Sequence, residues 1–429
     1  MTRGRRLSTT VAAVLGLVLL LPGPAGASVP QDRVVSEDPV NYTPNLLPTL
    51  DVPAPAVFAL EQRDSTMYAG GKFQALQNAR RTASFERANL VAFSATTGTV
   101  SRTFLPDVDG PVWAIRASGG SIYVGGTFGF VDGVKRRGVA KLDALTGRLD
   151  PTFRAPVVRG DVNDLRIAQG RLIVAGEFTK QLVALDLVTG ADTGYLNLGI
   201  AGTASDTPTR SHVYRIAVSA DEKRLLAVGN FATVSGQVRA RAFMVDLGST
   251  SGTLAPWYYP GFQKACRLKV LLPANLRDVD FSPDGSYFVI AATGGASNRG
   301  ELGETVCDAA ARFETGIPNP ERPTWINYTG ADTLHSVAVT GAAVYVSGHQ
   351  RWLDNAGGRD RCVPGCVERP GIGAIDPVSG KALPWNPTKS RDVGGRDLLA
   401  TSTGLWVASD GKLFHGEYRY GSAFAPLPL

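Results

Sequence analysis

The sequence predicts an all-β fold, and within that class a β-propeller with seven blades of three to four antiparallel strands. A repeated phrase is the first observation that predicts it. The phrase reads Ile-Tyr-Val-Gly-Gly-Thr-Phe at 122–128, and Val-Ala-Lys-Leu-Asp-Ala-Leu-Thr-Gly follows at 139–147. Similar pairs of segments occur before and after it, at 67–98 and 172–190. A self-similar unit of about fifty residues, made of short strands and turns, is typical of a β-propeller.

Regular spacing of the units is the second observation. Each unit opens with a short apolar strand, and these strands recur at intervals of about fifty to sixty residues. A single blade leaves one apolar face uncovered, so the units must stack in a ring to bury it. Aligned on their opening strands, the units start at Val57, Val112, Val162, Val213, Leu276, Leu334 and Gly395.

Turn chemistry is the third observation. The third strand of a unit ends in a Thr-Gly or Ser-Gly turn, most clearly at 143–147 and 376–380. Pro-Asp-Gly at 283–285 favours a tight hairpin between the first two strands of the fifth unit. The sequence contains 49 glycines, which suit turns with positive φ and strands that converge on a crowded axis.

The second unit also resembles a known family. Residues 123–153 combine Tyr-Val-Gly-Gly-Thr-Phe, Val-Asp-Gly, Val-Ala-Lys-Leu-Asp-Ala-Leu-Thr-Gly and Leu-Asp-Pro-Thr-Phe. This run resembles the delta-60 type repeat of secreted, actinobacterial-like bacterial β-propellers. The resemblance implies a secreted propeller and brings no catalytic motif with it. It is strongest in the second unit, while the fourth to seventh units depart from the pattern by inserting loops.

Residues 1–27 are predicted to be a signal peptide. Arg3, Arg5 and Arg6 form a positive region, an apolar stretch follows at 11–21, and Ala-Gly-Ala at 25–27 is typical of a cleavage site. The apolar stretch is short for a membrane span, and no second one follows. The mature chain is therefore expected to be secreted and soluble, without a transmembrane anchor. The route of export, Sec or twin-arginine, is left open.

Residues 28–56 are expected to form an N-terminal extension, and residues 57–429 the propeller. The extension is proline-rich, and two interpretations of it stay open. It is either a disordered lead-in or an outer strand that completes the last blade and closes the ring. The number of blades is open by one.

Charge argues against a nucleic-acid partner. The formal net charge is +6, and loss of the three arginines of the signal peptide leaves 6 − 3 = +3. The basic clusters at 80–81 and 135–137 lie in predicted loops, where solvated side chains are the simpler interpretation. We expect no nucleic-acid binding and a monomeric protein.

Four cysteines in an exported chain predict two disulfides. Cys362 and Cys366 enclose Val-Pro-Gly, a turn-forming triplet, so they are predicted to pair, and Cys266 then pairs with Cys307 by default. A zinc site with four sulfur ligands is the competing interpretation. Export and the three-residue spacing argue against it, so no metal is predicted.

Motifs of enzyme chemistry are absent from the sequence. It contains no Gly-x-Ser-x-Gly, no His-Glu-x-x-His, no phosphate-binding loop and no EF-hand. Asp-Val-Asp-Gly at 107–110 lacks the downstream ligands of a calcium loop. The run at 374–385 resembles the tryptophan-docking motif of quinoprotein propellers, which implies packing between blades more than a cofactor. We therefore predict no cofactor.

Charged residues recur at the second and third positions of the opening strands. In a propeller these strands line the central channel, so residues far apart in sequence converge there. Arginines at such positions could hold a carboxylate or phosphate, and aspartates could act as bases or hold a cation, with His335 as acid–base partner. Alternatively, the charges pair among themselves in a water-filled channel. The candidate ligand-binding residues are Asp164, Arg215, Arg277, Asp278, His335, Arg396 and Asp397.

These observations favour an exported, non-enzymatic binding or scaffold module for a protein or glycan. Two alternatives stay open. One is a secreted hydrolase or lyase that uses the charges of the channel, and the other is a structural component of the cell surface. The ligand itself is not predicted.

Overall fold

A computed structural model describes residues 29–204, 210–264, 266, 275–294 and 303–428. The predicted signal peptide lies outside this part of the chain. Apart from one 3₁₀ turn at Pro260–Gln263, the described elements are all β-strands, which confirms the all-β prediction. None of these elements is a helix with the length and apolarity needed to cross a membrane.

The strands are numbered along the chain and follow the predicted repeat in seven units. The first unit holds β1–β6, at Asn45–Leu47, Ala56–Arg63, Thr66–Lys72, Ala75–Gln77, Ser84–Glu86 and Leu90–Ser94. The second holds β7–β11, at Val112–Ser118, Ser121–Gly126, Phe130–Val131, Val134–Lys135 and Val139–Asp143. The third holds β12–β14, at Asp161–Ala168, Arg171–Glu177 and Leu182–Asp186.

The fourth unit holds β15–β21, at Ile200–Ala201, His212–Val218, Arg224–Asn230, Thr233–Val234, Gln237–Val238, Ala242–Leu247 and Gly252–Leu254. The fifth holds β22–β25, at Asn275–Phe281, Tyr287–Thr293, Ala309–Glu314 and Trp325–Tyr328. The sixth holds β26–β30, at Leu334–Val339, Val344–Gly348, Trp352–Leu353, Val367–Glu368 and Ile372–Ile375. The seventh holds β31–β35, at Gly395–Thr401, Gly404–Ser409, Leu413–Phe414, Glu417–Tyr418 and Ser422–Pro426.

One larger antiparallel sheet dominates each unit. Its first three strands are neighbours in the order of the chain, as in β2-β3-β6 and β31-β32-β35, and the fourth and fifth units add β21 and β25 as a fourth strand. Short sheets such as β9-β10 and β28-β29 lie in the connection between the second and third large strands. Each large sheet therefore has the three or four strands expected from the sequence.

A β-bulge interrupts the opening strand of every unit at the same place. In the second unit Val112 pairs with Gly126 and Ala114 with Gly125, so Trp113 has no partner across the ladder. A bulge bends its strand and changes the direction of the unpaired side chain. The residues left unpaired in this way are Phe58, Trp113, Asn163, Tyr214, Arg277, His335 and Arg396.

The second glycine of the repeated phrase lies very close to the backbone of the opening strand, beside the bulge. A Cβ atom on Gly126 would lie 2.1 Å from the carbonyl oxygen of Pro111, the residue before the opening strand. Gly71 stands in the same relation to Ala56, at 2.0 Å. Glycine holds this position in five units, while Ala292 and Ser409 hold it beside the bulges of the fifth and seventh units, so the bulge does not require glycine.

The hydrophobic core lies between neighbouring large sheets. One cluster joins Tyr68 of the first unit to Ile115 of the second, both almost completely buried. Each opening strand contacts the opening strand of the next unit, and β2 contacts β31 and β32 of the seventh unit. The first and seventh units share a cluster in which the rings of Phe93 and Trp406 lie 5.8 Å apart.

The N-terminal segment runs beside the last strand of the chain. The backbone N–H groups of Ser36 and Val40 donate to the carbonyl oxygens of Pro426 and Phe424, at 2.8 and 2.9 Å. The side-chain amide of Gln31 donates to the carbonyls that flank the hairpin between β31 and β32. Residues 29–46 are therefore attached to the seventh unit.

The two predicted cysteine pairs are present. The Cα atoms of Cys266 and Cys307 lie 5.9 Å apart, and those of Cys362 and Cys366 lie 5.6 Å apart, both bonded through sulfur. The shorter link closes the Val-Pro-Gly turn, and the longer one joins the segment after β21 to the segment before β24. All four cysteines are used in these two links.

Candidate ligand-binding site

The seven bulges direct their unpaired side chains into one cavity of about 250 Å³, which we call the bulge pocket. One residue from each unit lines it, and Arg215, the residue after a bulge, also contributes. Chain segments that are far apart in sequence thus supply a single concave site. The lining residues are Phe58, Trp113, Asn163, Tyr214, Arg215, Arg277, His335 and Arg396.

One side of the bulge pocket is aromatic. The rings of Phe58 and Trp113 stack 4.1 Å apart with an angle of 8° between their planes. Tyr214 contacts the His212 ring edge-on at 4.1 Å. These contacts hold the flat side chains in place, and Trp113 remains half-exposed to the pocket.

The other side of the pocket is cationic. Arg277 lies over the ring of Tyr214 at 5.2 Å, and Arg396 lies over the ring of Phe58 at 5.7 Å. Within the described part of the chain, neither guanidinium forms an ion pair, and the buried Nε atom of each has no hydrogen-bond partner. Burial lowers the pKa of Arg396 from its usual value, against the opposing charge of Asp410, and the neighbouring arginines lower it further.

His335 lies between these two arginines in the order of the units. Burial, followed by the charges of Arg396 and Arg277, lowers the pKa of His335 to about 3. The imidazole is therefore uncharged at neutral pH, where it can donate or accept a hydrogen bond without adding charge.

The three predicted aspartates lie one position beyond the bulges and face the next unit. Oδ2 of Asp164 accepts a hydrogen bond from the backbone N–H of Ile216, at 2.9 Å. Asp278 accepts one from Val337 in the same way, also at 2.9 Å. Each carboxylate thereby ties its own opening strand to the following one. We call these aspartates the clamp layer.

The third clamp joins the last unit to the first. Oδ2 of Asp397 accepts a hydrogen bond from the backbone N–H of Leu60, at 2.9 Å. Two positions further along the opening strands, Glu61 accepts a similar bond from Ala117, at 2.8 Å. Asp280, at the position matching Glu61 in the fifth unit, accepts one from Val339, also at 2.8 Å. These acidic residues of the opening strands therefore share a structural use.

Ion pairs with arginines neutralise part of the negative charge of the clamp layer. Arg166 lies 2.6 Å from Asp164, with Arg116 and Arg215 at 3.7 and 3.8 Å. A second, polar cavity of about 60 Å³ adjoins Arg215 on this side, large enough only for a few water molecules. Burial raises the pKa of Asp278 to about 8, against the opposing charge of Arg215.

The structure thus divides the predicted site residues into two layers. Arg277, His335 and Arg396 line the bulge pocket, and Arg215 lies between the two cavities. The aspartates belong to the clamp layer, so a direct acid–base pair of His335 with Asp278 is not formed. Sequence reasoning missed the uncharged members of the pocket because it selected charged residues. Those members occupy the same aligned position of the repeat, the unpaired residue of the bulge. They are Phe58, Trp113, Asn163 and Tyr214.

Comparison with known proteins supports a class and no particular activity. A family model described as "Domain of unknown function (DUF5122) beta-propeller" matches residues 119–153. The match lies in the second unit and supports a β-propeller repeat family. No curated protein matches the chain.

Among solved structures, the computationally designed Ika8 protein is similar to this chain. The similarity covers 89% of this chain and 98% of that one, at 12% identity and a TM-score of 0.47.

Proposed function

We propose that this chain is an exported, non-enzymatic binding module, a closed seven-bladed propeller that holds its ligand in the bulge pocket. The bulges support this proposal most directly. The β-bulge is the same in every unit, yet the seven side chains that it directs into the pocket differ in chemistry. A repeated scaffold with a varied, convergent lining is the usual design of a ligand site on a propeller.

Three contacts support closure of the ring. β2 packs against β31 and β32, Asp397 of the seventh unit accepts a hydrogen bond from Leu60 of the first, and residues 29–46 attach to β35. In this proposal residues 36–40 of the extension, residues 28–56, supply the outer edge of the last blade, and β1 of the extension pairs with β4 of the first unit. Residues 57–429 form the propeller. The mature protein is then a monomer, because the ring leaves no blade face uncovered.

The clamp layer supports a binding role over a catalytic one. A catalytic carboxylate must be free to exchange a proton or to contact a substrate. The clamp aspartates instead each accept a backbone hydrogen bond from the neighbouring unit. His335 is uncharged at neutral pH, and its neighbours in the pocket are arginines.

Export and the delta-60 type family are part of the same proposal. The two disulfides suit an oxidising compartment, and the first 27 residues have the pattern of a signal peptide. The matched family model covers the unit that most resembles the delta-60 repeat. The ligand is then an extracellular glycan or protein group that fits a small pocket.

A glycan and peptide array tests the binding role. The mature protein is compared with Trp113→Ala, which removes one wall of the pocket, and with Phe130→Ala, an exposed aromatic outside it. We expect at least one ligand that the wild type and Phe130→Ala retain and Trp113→Ala loses. Ligands that bind all three proteins equally would place recognition elsewhere on the molecule and contradict the proposal.

A further inference from the structure

We infer that the ligand of the bulge pocket carries an oxyanion, a carboxylate or a phosphate, on a planar ring. Arg277 and Arg396 hold the oxyanion, and the ring lies against the aromatic side of the pocket. The inference rests on the proposed function, since it names the class of ligand for the same site.

Charge imbalance is the first argument. Three arginines line the bulge pocket, and no acidic side chain of the described chain lines it. Arg215 pairs with Asp164 of the clamp layer at 3.8 Å. Asp410, whose charge acts on Arg396, lies outside the pocket lining, and its oxygens accept backbone hydrogen bonds. Gathering like charges without partners destabilises a protein, and an anion in the pocket would relieve that repulsion. The unbound protein is therefore destabilised by an arrangement of charges that an anionic ligand would stabilise.

Positioning of the two guanidinium groups is the second argument. Arg277 and Arg396 come from the fifth and seventh units and flank His335 of the sixth. Each lies over an aromatic ring, Tyr214 or Phe58, and forms no ion pair within the described part of the chain. A cation–π contact holds a guanidinium near the ring and leaves its N–H groups available. Planar forks of this kind match the two oxygens of a carboxylate or phosphate.

Shape and polarity of the opposite wall are the third argument. The stacked Phe58 and Trp113 rings form a rigid, flat surface, and Trp113 is the more exposed of the two. Flat apolar surfaces favour flat ligands, because offset stacking and burial of apolar area act together. A cavity of about 250 Å³ is small for a ligand site and has room for one ring with one polar group.

Simple ring compounds test the inference. Benzoate and phenyl phosphate are titrated into the mature protein by calorimetry and ligand-observed NMR, with benzamide as the neutral compound of the same shape. We expect an anion to bind at least tenfold more tightly than benzamide. Whether benzoate or phenyl phosphate binds better distinguishes the two oxyanions.

Arginine variants locate the anion. Arg277→Gln and Arg396→Gln should each weaken binding of the preferred anion at least tenfold and leave benzamide binding unchanged. Arg396→Lys keeps the charge and loses the fork, so its affinity should fall between wild type and Arg396→Gln. Arg137→Gln, an exposed arginine outside the pocket, is the matched control. Thermal unfolding of each variant shows that it is folded.

The outcomes separate this inference from the proposed function. Equal affinity for benzamide and the anions, or unchanged anion affinity in both glutamine variants, overturns the inference. If an array ligand is still lost in Trp113→Ala, the binding role survives that result. If neither the anions nor any array ligand depends on the pocket, both the inference and the proposed function fail.

Discussion

At the scale of single residues, a repeated arginine fixes the edge of the large sheets. It lies three residues before the third large strand in five units, and its Nη1 group donates to the carbonyl of the preceding residue. A second bond from the same guanidinium reaches a carbonyl in the segment outside the third strand. The arginines are Arg87, Arg136, Arg239, Arg369 and Arg419.

Replacing one of these arginines should destabilise its unit. Arg369 is nearly buried and donates to the carbonyls of Glu368 and Leu383, both at 2.6 Å. Arg369→Ala removes these charge-assisted bonds, so we expect the free energy of unfolding to fall by about 1.5–3 kcal/mol. Urea unfolding measures it against Arg148→Ala, an exposed arginine of the second unit. Equal losses in the two variants would show that the bonds do not stabilise the sheet.

The raised pKa of Asp278 makes stability depend on pH. Burial raises this pKa to about 8 in the folded chain, against about 3.9 in an unfolded one. Between these values the folded state binds a proton that the unfolded state releases, so the free energy of unfolding falls as pH rises. Buried histidines such as His335 act in the opposite sense, but only below about pH 6.5.

Asp278→Asn tests that dependence in the window from about pH 6.5 to 8. The amide cannot titrate, and its oxygen can still accept the Val337 hydrogen bond. We expect the wild type to lose stability across this window and the variant to lose less. The measurement is urea unfolding at several pH values, with Asp143→Asn as a control on an exposed turn. Parallel slopes in wild type and Asp278→Asn would rule out titration of Asp278.

At the scale of the element, the bulged opening strand links the repeat to the candidate site. In five units the strand's partner beside the bulge is a glycine with no room for a side chain, as at Gly126. The Asp-x-x-Thr-Gly turn connects neighbouring units. The Tyr123 hydroxyl of the second unit donates to the Leu187 carbonyl in the third unit's turn. Trp325 donates to Pro377 in the sixth unit's turn in the same way, at 2.9 Å. The turn in the run at 374–385, which was predicted to pack units together, therefore makes such a contact.

Gly126→Ala should disturb the second unit. The new Cβ would lie 2.1 Å from the Pro111 carbonyl, so the strand must shift to admit it. We expect a loss of about 1–3 kcal/mol in the free energy of unfolding, typical of overpacking. Gly120→Ala is the control, because an added Cβ there meets no atom within 4 Å. The prediction is wrong if thermal and urea unfolding cannot tell the two variants apart.

At the scale of the whole molecule, the N-terminal segment contacts the repeated arginine of the seventh unit. In four units the repeated arginine reaches a carbonyl that follows its own third strand. In the seventh unit, Arg419 instead donates through Nε to the carbonyl of Val40, at 3.0 Å. A residue from the start of the chain thus occupies the position that each of those other units fills for itself, which supports the proposed closure.

Removal of residues 28–46 should open this closure. The seventh unit would lose the backbone hydrogen bonds to Ser36, Val40 and Leu46. We expect a lower midpoint of thermal unfolding, which calorimetry measures. We also expect early proteolytic cleavage within the seventh unit, which mass spectrometry of the fragments detects. A deletion ending at Pro30 is the control. Unchanged stability in the longer deletion would leave the segment without a role in closing the ring.

Local patterns in the sequence determined the all-β class, the repeat, the opening strands and the cysteine pairs, because each depends on neighbouring residues or on spacing. They also indicated the positions of the opening strands whose residues converge. The tertiary structure decided which of those residues line the pocket and which join neighbouring units. A bulge changes the alternation of side chains by one residue, so adjacent positions such as Arg277 and Asp278 serve a pocket and a clamp. It also decided the partner of the N-terminal segment, since a contact between the two ends of a chain has no local signal.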